Sequence, residues 1–135
     1  MSKQRINIYV IDDIFEEYLF EITNGVNTTS IAVFSEVELF RELGHALCAF
    51  PKSITDSVDF DFGGSNRSLA LKVYCYEWRG QTALQIEVKS NLPAPDSYAS
   101  QFSIKTVPAS INNLGQMLLD WDPYSYGRIE WMAED

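Results

Sequence analysis

Across residues 69–90 apolar and polar side chains alternate on both sides of Arg79-Gly80. A period of two puts Leu71, Val73 and Cys75 on one face and Lys72, Tyr74 and Tyr76 on the other, whereas a helix would scatter both sets around its circumference. The segment is therefore expected to form an antiparallel hairpin with one buried face and one wet face. A two-residue loop at Arg79-Gly80 pairs Cys75 with Leu84, Val73 with Ile86 and Leu71 with Val88. It also sets Lys72 beside Glu87 as a favourable cross-strand charge pair.

The same alternation marks further strands at 5–11, 14–23, 58–62, 98–106 and 128–132. A four-residue turn at Asn24-Gly25-Val26-Asn27 sets Ile22 opposite Thr29, Phe20 opposite Ile31 and Tyr18 opposite Val33, which keeps the apolar set on one face. Ser35-Glu36-Val37-Glu38 has the spacing of a capping box, and Phe34 and Leu39 stand where a hydrophobic staple closes. A helix is expected from there to Pro51, with Leu39, Phe40, Leu43, Ala46, Leu47 and Phe50 as its buried stripe. A second helix spans 108–121, with Ile111, Leu114, Leu118 and Trp121 facing inward. At 135 residues this is one domain with a core of its own. The expected class is α+β: a meander-like antiparallel sheet with both helices packed on one face.

The two helices share a pattern. Phe40-x-x-Leu43-Gly44-x-x-Leu47 aligns with Ile111-x-x-Leu114-Gly115-x-x-Leu118. A glycine inside a helix costs about 1 kcal/mol relative to alanine, so each is expected where a backbone or bulky side chain passes close. Similar packing demands on two sheet-covering helices account for the likeness, with a duplication as the alternative.

Charge narrows the function. Nineteen acids stand against ten bases and one histidine, for a net charge of -9. A nucleic-acid partner is disfavoured, because phosphate binding needs a basic surface. The acids concentrate in residues 1–61, notably Asp12, Asp13, Glu16 and Glu17, then Asp59 and Asp61. The 6–11 apolar run is too short for a signal sequence or a membrane span, so a cytoplasmic protein is expected, with Cys48 and Cys75 as buried, reduced thiols on the apolar side.

Ordinary catalytic constellations are missing from the sequence. His45 and Cys48 lie one helical turn apart, but two ligands do not make a tetrahedral metal site. Asp59-x-Asp61-x-x-Gly64 starts like a calcium loop, yet Gly63 occupies a ligand position and Ala70 stands where a bidentate glutamate is required. Asp12-Asp13 and Glu16-Glu17 have the residue types of a glycosidase pair without aromatic subsites beside them. No nucleophile elbow or phosphate loop occurs. No catalytic residue, metal or cofactor is therefore assigned. Aromatic side chains are the usual anchors of interfaces. Tyr74 and Tyr76, on the wet face, are the candidates, and Trp121 and Trp131 serve equally as interface or core residues.

The layout is similar to that of the immunity proteins of bacterial toxin competition systems. It is carried by the Leu-Phe-Arg-Glu-Leu-Gly helix after paired strands, the hairpin, and the late Pro-Ala-Ser-Ile-Asn-Asn-Leu-Gly helix. That resemblance implies a protein-binding module that masks a basic toxin with an acidic surface. Asp12, Asp13, Glu16, Glu17, Asp59, Asp61, Tyr74 and Tyr76 are the candidate partner-binding residues. Two other readings stand beside it: a small-ligand-binding or enzymatic domain with a pocket between helices and sheet, and a structural homodimer.

Overall fold

The computed structural model describes residues 3–64 and 66–134. In chain order the elements are β1 (Arg5–Asp12), β2 (Glu17–Thr23), β3 (Thr28–Phe34), α1 (Val37–Cys48), β4 (Ser57–Gly63), β5 (Arg67–Cys75), β6 (Thr82–Ser90), β7 (Tyr98–Thr106), α2 (Pro108–Asp120) and β8 (Arg128–Met132). The class is α+β with antiparallel strands, as the alternation requires. The strands divide between two four-stranded sheets, ordered β3-β2-β1-β8 and β4-β5-β6-β7. Alternation determines which side chains share a face; it carries no information about how many sheets the strands join.

Those two orders make the molecule a pair of like units. β1-β2-β3 is a meander that leads into α1, with β8 from the far end of the chain paired beside β1, and β4-β5-β6-β7 is a meander that leads into α2. The likeness extends to register. The row Ile129-Ile8-Phe20-Ile31 of the first sheet corresponds to Phe60-Leu71-Ile86-Phe102 of the second. The next row, Trp131-Ile6-Ile22-Thr29, corresponds to Phe62-Leu69-Val88-Ser100. The sequence pattern of the two helices is thus one part of a likeness that covers both sheets. Packing demands explain similar helices; a duplicated unit also explains the matching strand order and register.

The helices cross at the two glycines. A Cβ on Gly44 would lie 2.9 Å from the carbonyl oxygen of Gly115, and one on Gly115 would lie 2.8 Å from that of Gly44. The contact is reciprocal, as a local twofold requires. Only glycine lets the two backbones approach this closely, which accounts for its cost within each helix.

Inward-facing residues of both sheets and both helices form one core. Phe40 sits at its centre. Its ring lies 4.8 Å from Tyr18, 5.3 Å from Phe62 and 5.4 Å from Trp121, centroid to centroid. It thereby joins a strand of each sheet to the end of α2, in edge and tilted geometries that aromatic quadrupoles favour. Trp121 and Trp131 are core residues: both are buried, and their indole N–H groups donate to the Tyr126 and Ser110 carbonyls at 2.9 and 3.0 Å. Side-chain amides tie the first sheet to the outer edge of the second. Gln4 donates to the Lys105 carbonyl at 3.0 Å and accepts from its N–H at 3.1 Å, and Asn24 donates to the Ser103 carbonyl at 3.0 Å.

Three local expectations are corrected. The β5–β6 register differs by two residues: Cys75 faces Thr82, Val73 faces Leu84, Leu71 faces Ile86, and Lys72 faces Gln85, so the Lys72–Glu87 pair does not form. The Tyr76 N–H bonds to the Gln81 carbonyl at 2.8 Å, leaving a four-residue tip at 77–80. A shift of two preserves both faces, so hydrophobicity cannot distinguish the registers, and the tip geometry decides. The capping box at Ser35 is not formed either. The Ser35 hydroxyl donates to the Glu36 carbonyl at 3.1 Å, and Glu36 occupies the N-cap without a side-chain bond. Finally, Cys48 and Cys75 are free, half-buried thiols rather than fully buried ones.

Candidate functional site

The strongest candidate surface is the turn between β1 and β2. Ile14 was expected in the second strand, but that strand begins at Glu17. The interruption is built by Asp12, whose carboxylate accepts from the Ile14 and Phe15 N–H groups at 2.9 and 3.1 Å. This Asx-type turn satisfies two backbone donors and stops strand pairing. Glu16 then adopts a left-handed conformation, φ 55, which is strained for a residue with a Cβ. The result pushes Ile14 and Phe15 outward, 81% and 71% exposed.

These two side chains, with Phe34 and Leu39, line an open groove of about 700 Å3 that reaches the start of α1 and includes Glu16 and Glu36. The loop after α2 lies alongside: the Val10 N–H donates to the Gly127 carbonyl at 2.8 Å, and Tyr124 in that loop is exposed. An apolar floor within a carboxylate rim has the composition of a protein interface. Glu17 is partly engaged, 3.8 Å from Arg67. Beneath the turn, burial, followed by the nearby Glu16 and Tyr124, pushes the Tyr18 phenol up to about 12.

The other candidate residues lie elsewhere. Asp59 and Asp61 are exposed on β4, at the edge of the second sheet. With Lys72, Gln85 and Glu87 they border a groove of about 160 Å3 on the outer face of that sheet, too small for a substrate-sized ligand. Tyr74 is half-buried and Tyr76 exposed on the same outer face, near the hairpin tip. The structure therefore groups Asp12, Asp13, Glu16 and Glu17 in one place and leaves Asp59, Asp61, Tyr74 and Tyr76 on the other sheet.

A cavity of about 310 Å3 beside β3 has Arg67 as its one charged lining side chain among the described residues. It does not gather carboxylates in the way the small-ligand reading requires. Among the described residues no group of three or more His, Cys, Asp or Glu side chains is placed to hold a metal, and no helix is long and apolar enough to cross a membrane. His45 is exposed on α1.

Sequence reasoning missed Ile14, Phe15, Phe34 and Trp78 as surface residues. The available signal was Asp12-Asp13 and Glu16-Glu17 bracketing two apolar residues, a pattern that breaks strand alternation.

The fold and this surface define a two-sheet α+β protein with an acidic, apolar turn. No protein-family model and no curated protein match the chain. A solved structure described as the plant transcriptional regulator PBF-2 has a similar fold. Its TM-score is 0.51 at 15% identity, over 80% of this chain and 60% of that one. The likeness is to the fold, and this chain spans about three-fifths of that neighbour's length.

Proposed function

We propose that the chain is a small protein-binding module that captures a basic protein, in the manner of bacterial immunity proteins that neutralise a toxin. The observation that supports this reading is the 12–16 turn, which holds Ile14 and Phe15 in solvent between carboxylates. Exposed apolar anchors supply contact area, and the surrounding negative charge speeds encounter with a cationic surface and disfavours anionic ones. The protein would act in the cytoplasm, where the thiols of Cys48 and Cys75 remain reduced.

The test uses variants that spare Asp12, because its carboxylate builds the turn. The wild-type protein, used as bait in extract of its own organism, is expected to retain a basic protein in a salt-sensitive manner. Asp13→Lys/Phe15→Ala/Glu16→Lys should lose it while its thermal unfolding stays close to wild type. Co-expression of bait and captured protein should relieve any toxicity of the latter. Undiminished capture by the triple variant would show that the turn is not the docking surface.

A further inference from the structure

The correspondence between the sheets sets β3 against β7, each the edge strand that leads into a helix. Their edges differ. On β7 the Gln4 amide takes both the N–H and the carbonyl of Lys105, and Asn24 takes the Ser103 carbonyl. By register, Gln4 corresponds to Arg67 and Asn24 to Ser90, while Lys105 and Ser103 correspond to Phe34 and Ala32. Neither counterpart repeats the closure. Arg67 lies 3.8 Å from Glu17, and the Ser90 hydroxyl donates to the Asp96 carbonyl at 3.1 Å. A guanidinium also has no acceptor with which to engage an N–H. The β3 edge is therefore open. The Ser35 N–H donates to the Glu16 carbonyl at 3.0 Å. Antiparallel alternation then turns the backbone groups of Thr29, Ile31 and Val33 toward β2 and those of Ser30, Ala32 and Phe34 outward. Among the described residues none bonds to these outward groups. Two hollows of about 310 and 480 Å3 lie along the edge, both bordered by Ala32, Arg67 and Leu92.

Charge along this edge is one-sided. Glu16 and Glu36 stand at its Phe34 end, Glu17 and Glu21 face Phe34 and Ser30 from β2, and Asp96 borders the larger hollow. Arg67 alone opposes these five, and Lys89, next to Ser90, is paired with Glu87 at 3.5 Å. We infer that the free edge of β3 docks an extended basic segment, which joins the first sheet as an added strand. Main-chain bonds to Ser30, Ala32 and Phe34 fix its register, and its alternate side chains enter the hollows. The carboxylates select lysine or arginine on the segment and repel acidic ones. They also disfavour the β3 edge of a second copy, which brings the same acids against their like. The inference stands on β3 and holds whether or not the 12–16 turn captures a protein.

Amide hydrogen exchange tests it, with a blocked octapeptide of alternating lysine and valine as the probe and the glutamate–valine octapeptide as its control. At saturation the lysine peptide should slow exchange of the Ser30, Ala32 and Phe34 amides about tenfold or more. Added salt should weaken that binding, and the glutamate peptide should have no effect. The Lys105 amide, already held by Gln4, should not change. Ala32→Pro removes one outward donor and leaves the bonds to β2 in place, a position where edge strands tolerate proline. It should abolish binding of the lysine peptide while thermal unfolding stays close to wild type; if the variant loses its fold, the wild-type exchange pattern decides alone. Unchanged exchange at all three amides, equal protection by both peptides, protection confined to another edge strand, or full binding by folded Ala32→Pro would each overturn the inference. Capture of a basic protein through the 12–16 turn is read separately and reports on the proposed function alone.

Discussion

Arg41 and Asn112 occupy equivalent positions on the two helices, and each caps the carboxyl end of the helix it does not belong to. Asn112 donates from α2 to the Leu47 and Phe50 carbonyls at 2.9 and 2.7 Å. Arg41 donates from α1 to the Leu118 carbonyl at 2.8 Å and also to that of Leu119. Final-turn carbonyls have no partner inside their own helix, so the exchange satisfies both ends and fixes the pair about the glycine crossing. Two different residue types perform one role, a kinship that sequence comparison of the helices does not show.

Removing either cap takes a side-chain donor from the helix ends: without Asn112 the Phe50 carbonyl loses its bond, while that of Leu47 keeps the Phe50 N–H at 3.3 Å. Asn112→Ala and Arg41→Ala should each lower the unfolding free energy by about 1–3 kcal/mol, read from urea denaturation. A loss below a few tenths of a kcal/mol would show that water replaces the caps at no cost.

The raised Tyr18 phenol makes a statement about alkaline stability. Below its ordinary value of 10.0 the phenol is protonated in both folded and unfolded chains, and its contribution is constant. As pH rises from there toward about 12, the unfolded chain releases the proton first, so stability falls across that interval. Absorbance titration should reveal a phenolate that forms near pH 12 and is absent from Tyr18→Phe. Unfolding free energy should decline less steeply over the same interval in that variant, and an identical slope would contradict the assignment.

Glu16 offers a separation of stability from binding. Its left-handed backbone is strained with a Cβ and relaxed in glycine, so Glu16→Gly should stabilise the protein by about 0.5–1 kcal/mol after the entropy of the unfolded glycine is deducted. It also removes a carboxylate from the rim of the groove. Midpoint denaturant concentration should rise while capture of the basic partner weakens. Unchanged capture would indicate that Glu16 takes no part in the interface.

Much of the architecture was legible because it rests on local periodicity. The β2–β3 register follows from Ile22, Phe20 and Tyr18, since any odd slip would expose all three. Helix α2 was legible from Ile111, Leu114 and Leu118. The β5–β6 register was not, because a slip of two leaves Leu71 and Val73 facing the core in either arrangement. At the candidate site, the acidic residues could be read directly, while the exposure of Ile14 and Phe15 was marked only by the acid pairs on either side of them. It depends on the Asp12 turn ending a strand that apolar alternation would otherwise continue.

What the sequence alone determined is which residues turn inward along each strand and helix, and that the surface left over is acidic. Hydrophobic period sets the first and composition the second, and neither needs a contact between distant segments. The tertiary structure decided the division into two sheets, the reciprocal caps, and the gathering of Phe34 and Leu39 beside the 12–16 turn. Those depend on segments far apart in the chain meeting in one register. Only the close crossing at Gly44 and Gly115 brings Arg41 within reach of one helix end and Asn112 within reach of the other.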